Sequence, residues 1–255
     1  MRRRWVALGI TLAVVGTGSG IAVRQLTRTD HRTTLRTVDE ALADFRSGTD
    51  VDEASNGLPA PGVYVYRTTG SDAVDALGGA EHVYPVSTTI TVRASGCGVV
   101  ARWDVAVERW DETTSCETDG GVTRTAFVSF HEFFGTRNTD AETCAGDPRP
   151  IGADPDTTWT FQCAEGDSVT PWLGRVLGED IVMVGETPVP TEHVVLVTPN
   201  DPDGDDMRIE TWFLAGSDLI VREVGSRRTT DPSPIGDVHY REDYEIVLTT
   251  LEPLR

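Results

Sequence analysis

The chain has 255 residues, of which 25% are charged, 38% hydrophobic and 7% aromatic. This composition is typical of a folded globular protein and argues against an intrinsically disordered chain. The net charge is −19, and because residues 1–28 hold five arginines and no acid, the rest of the chain is five units more negative, at −24. A body of that charge repels nucleic acid and anionic lipid headgroups, so the composition excludes a nucleic-acid partner.

Residues 1–28 have the pattern of an export signal or a membrane anchor. Three arginines at positions 2–4 precede an uncharged run over residues 5–23. A run of this length can cross a bilayer as a helix, with its arginine-rich end on the cytoplasmic side. A cleavable signal peptide is the alternative, because the run becomes less apolar at Gly16 and residues 20–22 offer a cleavage site. The chain is therefore predicted to lie outside the cytoplasm, anchored in the cell membrane by a single span or, if cleaved, secreted.

The next segment, residues 29–60, is predicted to hold an amphipathic helix and a linker. The helix covers 33–47, where apolar residues recur at helical spacing at Leu35, Val38, Leu42 and Phe45. The stretch 48–62 is polar and contains Gly and Pro, which is typical of a linker.

The remainder, residues 61–255, is predicted to form one antiparallel β domain. Its runs of β-branched and aromatic residues end in turn-forming residues. The predicted strands are 63–68, 86–94, 99–110, 122–134, 158–163, 180–184, 193–198, 207–214, 219–224 and 238–251. Short helices are predicted at 71–79 and 169–178. The fold class is thus α+β and mainly β: an N-terminal membrane helix, then a curved antiparallel sheet with a few helices.

Four cysteines lie in the part of the chain predicted to be exported. They are Cys97, Cys116, Cys144 and Cys163. An even number in an oxidising compartment predicts two disulfides, for which three pairings are possible. The two sequential pairs have equal, short separations, and short loops close most readily, so we favour Cys97 with Cys116 and Cys144 with Cys163.

The sequence contains no motif that nominates a catalytic residue or a cofactor. It has no H-E-x-x-H pattern and no nucleophile elbow, and the absence of lysine excludes Schiff-base chemistry. The acidic stretch 200–206 offers Asp201, Asp203 and Asp205 as calcium ligands at alternating positions, but its glycine is misplaced for an EF-hand loop. A solvated acidic turn is therefore the favoured interpretation.

The stretch 88–110 alternates apolar and polar residues on both sides of a Gly-Cys-Gly sequence. One face carries Val99, Ala101, Trp103, Val105 and Val107. This row lies against either the protein's own core or an open ligand groove, and the sequence alone leaves both alternatives open.

Two late segments carry a resemblance to a known family. TWFLAGSDLIVREV (211–224) and GDVHYREDYEIVLTTLEPL (236–254), placed after an exported helix and a long meander, resemble the lipoprotein-carrier superfamily. The resemblance implies a half-barrel sheet with helices in its mouth that encloses a cavity for acyl chains. The candidate cavity residues are Trp103, Val105, Phe127, Trp212, Tyr240 and Tyr244. The Gly-Cys-Gly region and HEFFG also resemble exported actinobacterial proteins, which implies no activity.

Two functions follow as expectations. The first is a membrane-anchored or secreted binding protein that holds a lipid or another apolar small molecule in a half-barrel cavity. The alternative is a structural or interaction domain of the cell envelope whose core is filled by its own side chains and which contacts an unknown protein partner. A third class, a hydrolase or calcium-dependent enzyme, would need converging polar groups beside a pocket.

Overall fold

The computed structural model describes residues 33–48, 57–199, 206–233 and 236–255. This part of the chain holds one α-helix, a short 3₁₀ turn at Ala76–Gly78 and thirteen strands. The elements are α1 (Val38–Ser47), β1 (Gly62–Val74), β2 (Ala80–Val83), β3 (Ser87–Ser95), β4 (Gly98–Ala106), β5 (Arg109–Thr118), β6 (Gly121–Phe133), β7 (Thr136–Gly146), β8 (Thr158–Glu165), β9 (Ser168–Val184), β10 (Thr187–Val197), β11 (Asp206–Leu214), β12 (Ile220–Ser233) and β13 (Gly236–Leu248). The prediction of a mainly β chain is confirmed.

The strands form a single antiparallel meander that closes on itself. From β3 to β13 every strand pairs with the next one along the chain, and β1 pairs with both β3 and β13. Strands β2 and β3 lie in one line along the same edge of β1, since Ser71 pairs with Val83 and Arg67 with Ser87. The result is a barrel of twelve strand positions, with β2 as an extension of β3.

The predicted half-barrel is wrong, because the sheet has no open side. Strands β1 and β13 are joined along nine residue pairs, from Tyr66 with Leu248 to Val74 with Tyr240. Alternating hydrophobicity specifies which segments become strands, but it does not specify whether the first and last strands meet. The helices that the family resemblance places in the mouth of the sheet are also not seen in the described ranges.

The predicted amphipathic helix is present and packs outside the barrel. Thr37 caps α1, because its hydroxyl accepts a hydrogen bond from the Glu40 backbone N–H and the Glu40 carboxylate accepts one from the Thr37 N–H. Ala41 and Phe45 are buried against Val63 of β1. The linker that was predicted after the helix lies mostly in residues 49–56, outside the described residues.

Both short helices predicted within the β domain are wrong. Residues 71–74 continue β1 and pair with β13, so only the turn at Ala76–Gly78 is helical. The range 169–178 lies inside β9, where Trp172, Gly174 and Val176 are buried at alternating positions. Its apolar residues fit a helical spacing as well as a strand spacing, and pairing with β8 and β10 decides for the strand.

One predicted strand is divided into two, and one strand was missed. The predicted strand 99–110 is a hairpin, since β4 ends at Ala106 and β5 begins at Arg109. Strand β7 was not predicted at all. The predicted connection of 207–214 to 219–224 through a short turn is confirmed by the pairing of β11 with β12.

Two disulfides cross neighbouring segments of the meander. Cys97, in the turn before β4, is bonded to Cys116 of β5, and Cys144 of β7 is bonded to Cys163 of β8. This is the sequential pairing that the equal separations favour. Disulfides are typical of proteins that fold in an oxidising compartment outside the cytoplasm.

In the described part of the chain we find no helix that could span a bilayer. Residues 1–28, for which a membrane helix or signal peptide is predicted, lie outside that part.

Candidate ligand-binding site

The barrel interior contains a network of buried charges near the end where the β4–β5 and β6–β7 turns lie. Arg109 is its centre and has no solvent exposure. Its two terminal nitrogens donate to the two carboxylate oxygens of Asp111 at 2.5 and 2.7 Å, and Nη2 also donates to Glu242 at 2.8 Å. The Tyr84 hydroxyl donates to the same Glu242 oxygen. Burial would lower the pKa of Arg109, but the charges of Asp111 and Glu242 raise it well above its usual value.

Asp72 joins two histidines to this buried ion network. Its carboxylate lies 3.0 Å from Nδ1 of His82 and 3.4 Å from Nδ1 of His131. Burial would raise the pKa of Asp72, but the hydrogen bonds from the histidines and the charge of Arg109 hold it at about 2. Burial, together with Arg109, lowers the pKa of His131. His82 stacks on Phe133 at 4.5 Å, so the network is packed on both sides.

The geometry of the network is that of a structural element. No three His, Cys, Asp or Glu side chains of the described ranges are placed to hold a metal ion. The calcium candidates Asp201, Asp203 and Asp205 lie outside those ranges. Each charge of the network faces an opposite charge or a hydrogen-bond partner, which is what a buried ionic group needs to be stable.

A cavity of about 190 Å³ lies next to the network, inside the barrel. Its walls are mainly aromatic and aliphatic. The aromatic residues that line it are Trp103, Phe127, Trp159, Phe161, Trp172, Phe213 and Tyr244. Phe161 and Trp172 stack in parallel with their centroids 6.0 Å apart, and Trp103 packs against Tyr244 at 4.7 Å. Such a surface suits the apolar body of a small molecule.

Charged side chains also reach this cavity from several strands. They include Asp111, Arg124, Glu142, Glu223, Arg227 and Glu242. Asp111 and Glu242 are bonded to Arg109 of the network. Glu223 accepts hydrogen bonds from the hydroxyls of Tyr244 and Thr211, both at 2.8 Å. Burial raises the pKa of Glu223 despite these bonds, which favours its neutral form.

Two of the three arginines that line the cavity, Arg124 and Arg227, are placed differently from the acids. The Arg124 guanidinium lies over the rings of Phe127 and Phe161, at 5.8 and 5.5 Å from their centroids. Arg227 donates its Nε–H to the sulfur of Met207 at 3.3 Å. Within the described ranges, neither arginine forms an ion pair with a carboxylate.

A bulge explains how Arg124 and Phe127 come to face the same cavity although they are three residues apart. Thr114 of β5 pairs with Ala126, but the next residue, Ser115, pairs with Arg124, so one residue of β6 is extra at this point. Such a bulge shifts the alternation of side chains by one position. The inner face of β6 therefore carries a cation and an aromatic ring next to each other.

The loop over residues 147–157 crosses the other end of the barrel and is fastened by one arginine. Arg149 donates to Glu192 at 2.7 Å and to Asp218 at 2.8 Å, and its guanidinium lies 3.9 Å from the Phe213 centroid. Glu192 also accepts hydrogen bonds from two backbone N–H groups of the loop, those of Gly152 and Ala153. These contacts hold the loop in place, and its residues Asp147 and Arg149 line the cavity.

The structure places three of the six predicted cavity residues on the cavity: Trp103, Phe127 and Tyr244. Of the other three, Val105 is buried in the apolar core. Tyr240 lies in the network, packed against His131. Trp212 lies on the opposite face of β11 from the cavity-lining Thr211 and Phe213, stacked on His193 at 3.9 Å.

The residues on the predicted apolar face of β4 are divided in the same way between the cavity and other surroundings. Val99, Ala101 and Trp103 line the cavity, whereas Val107 is exposed in the turn that follows. Sequence reasoning did not find Arg124 and Arg227. Their inward position could be recognised only from the register of β6 and β12, because an isolated arginine in a strand is usually exposed.

A larger but shallower groove of about 390 Å³ lies on the outer face of the barrel, where Gly70 and Gly225 flank Tyr244. Its one arginine, Arg208, is already paired with Glu210 at 2.7 Å. The groove is open and its charges are satisfied, so the inner cavity is the better candidate for a binding site.

A comparison of the chain with protein-family models, curated proteins and solved structures found no match to any of them.

Proposed function

We propose that the chain is an extracytoplasmic binding protein that holds a small molecule with an apolar body inside its barrel. The observation that carries this proposal is the cavity itself, because aromatic walls and a few inward charged groups are what ligand pockets combine. The disulfides Cys97–Cys116 and Cys144–Cys163 support a location outside the cytoplasm. Residues 1–28 would anchor the protein in the membrane, or direct its secretion if they are cleaved.

The size of the cavity restricts the ligand. At about 190 Å³ it is smaller than the roughly 300 to 1,000 Å³ of pockets for drug-sized molecules. It suits a single ring or a short acyl chain better than a lipid with two long chains. The proposal therefore keeps an apolar ligand, but the ligand is smaller than the long-chain lipids that the family resemblance implies.

The alternative remains a structural or interaction domain with a filled interior. The buried ion network and the fastened loop 147–157 support it, because both fill or close the barrel with the protein's own side chains. In that case the cavity would hold only water, hydrogen-bonded to the charged side chains that reach it.

A cavity-filling variant separates the two functions. Ala101 lines the cavity, so Ala101→Phe should displace a ligand, whereas Ala141→Phe adds the same ring to an exposed position on β7. The full-length chain and both variants would be purified from the producing cell's envelope in one nonionic detergent and compared by native mass spectrometry. A small molecule retained by the wild type and Ala141→Phe, but lost from Ala101→Phe, supports the binding function. If none of the three proteins carries any mass beyond that of its own polypeptide, the interaction domain is favoured.

A further inference from the structure

The charges of the cavity are unequally satisfied, and this inequality points to the chemistry of a ligand. Asp111 accepts two hydrogen bonds from Arg109, and Glu242 accepts hydrogen bonds from Arg109 and Tyr84. Glu223 accepts two from neutral hydroxyls. These three of the acids that line the cavity therefore have hydrogen-bond partners within the protein.

Arg124 has no hydrogen-bonded carboxylate among the described residues, although its charge lowers the pKa of Glu223. Its only ring contacts are with Phe127 and Phe161, and no carboxylate or carbonyl of the described residues accepts its hydrogen bonds. A guanidinium has five N–H donors in a planar fork, and a ring face beneath it satisfies none of them. The group therefore presents donors to the cavity next to the aromatic wall.

Arg227 repeats this arrangement from β12. Its one hydrogen bond within the described ranges goes to the sulfur of Met207, which is a weak acceptor. Burial would lower the pKa of Arg227, but Glu242, Tyr240 and Asp111 raise it, so the side chain stays charged without an ion pair. Partly buried cations are usually paired, so two unpaired arginines on one cavity are unusual.

We propose that the ligand carries an anionic oxygen group, such as a carboxylate, which accepts hydrogen bonds from Arg124 and Arg227 while its apolar body lies against Phe161 and Trp172. This inference rests on the proposed binding function and specifies the ligand class. Arginine forks bind carboxylate and phosphate oxygens in the same bidentate way, so the shared chemistry is an anion with at least two oxygens.

The test uses the full-length chain and two small probes of the same shape. Phenylacetate has one ring and one carboxylate, and phenylacetamide replaces the carboxylate by a neutral amide. Binding of both would be measured by isothermal titration calorimetry to the wild type, Arg124→Met and Arg227→Met. Arg137→Met is the matched control, since that side chain is 75% exposed and pairs only with Glu132. In the Ala101→Phe variant the cavity is filled, so any binding that remains takes place outside the cavity or in the detergent.

We expect phenylacetate to bind the wild type and Arg137→Met equally, and each cavity arginine variant at least tenfold more weakly. Phenylacetamide should bind at least tenfold more weakly than phenylacetate to the wild type and be insensitive to both cavity substitutions. Thermal melts should show Arg124→Met to be as stable as the wild type, because no ion pair is lost.

Three results would overturn the inference. Equal binding of the two probes, or phenylacetate binding unaffected by either substitution, would leave a binding cavity without an anion site. A retained natural ligand that mass spectrometry identifies as neutral or cationic would have the same meaning. If neither probe binds and the wild type retains no molecule, the binding function fails together with the inference. Inorganic phosphate, titrated in parallel, shows whether the arginines bind any oxyanion or only one attached to an apolar body.

Discussion

Replacement of Arg109 by methionine should strongly destabilise the barrel. The guanidinium has no solvent exposure and makes a bidentate bond to Asp111 and a further bond to Glu242. Methionine has a similar length but removes the guanidinium that donates hydrogen bonds to both carboxylates. Removing one partner of a buried ion pair costs about 3–5 kcal/mol. Because a folded domain is stable by about 5–15 kcal/mol, this loss is a large share of the total.

The loss should depend on pH in a defined direction. In the wild type, Arg109 and its hydrogen bonds overcome the effect of burial and lower the pKa of Asp111. Without the arginine, burial raises the pKa of Asp111 above the unfolded value of about 4, so the folded variant takes up a proton and becomes more stable as the pH falls from 7.5 to 5. The difference from the wild type should therefore be smaller at pH 5 than at pH 7.5.

Urea unfolding followed by tryptophan fluorescence, with the disulfides intact, measures these free energies. Arg137→Met is again the control, because an exposed ion pair contributes at most about 1 kcal/mol. Arg109→Met combined with Asp111→Asn and Glu242→Gln should recover part of the loss, since the triple variant also removes the two carboxylates to which Arg109 is bonded. A loss below about 1 kcal/mol for Arg109→Met, or one that is equal at both pH values, would refute this account of the network.

Two further predictions concern single positions. Burial and the charge of Glu165 raise the pKa of Asp140 to about 6, so its ionisation destabilises the fold as the pH rises through that value. After allowance for the partial exposure of Asp140, the substitution Asp140→Asn should stabilise the protein by about 1 kcal/mol at pH 7.5 and not at pH 4. Urea titrations at the two pH values measure this difference. Gly174→Ala would place a methyl group about 2.1 Å from the Trp159 ring. This overpacking should lower the free energy of unfolding by about 1–3 kcal/mol. A thermal melt equal to that of the wild type would mean that the ring can move away at no cost.

Local sequence patterns predicted most of the strands because their inner faces are apolar. Strand β7 shows why these patterns do not detect every strand. Its inward side chains include Asn138, Asp140 and Glu142, while the residues between them are exposed, so the strand has no apolar face to detect. Where the interior of a barrel is itself polar, alternating hydrophobicity carries no signal.

The candidate site was predicted in part for a related reason. Trp103, Phe127 and Tyr244 are large and apolar in character, so they are natural candidates for any inner surface. Arg124 and Arg227 are not, because their inward position depends on a bulge and on register across distant strands. Closure of the sheet through β1 and β13 is equally invisible in a local pattern, although it decides which faces become the interior.

That closing ladder also governs the order in which the molecule can fold. The other strand pairs join segments that follow one another along the chain or are separated only by β2, whereas Tyr66 must find Leu248. Until β13 is available, β1 and β12 each have an unpaired edge that can recruit strands from other molecules. Such long-range pairing is entropically costly and slow, so we expect closure to be the late and aggregation-sensitive step of folding. The two disulfides link only segments that are close in the meander, so they can hold parts of the sheet together but cannot bring its two edges into contact.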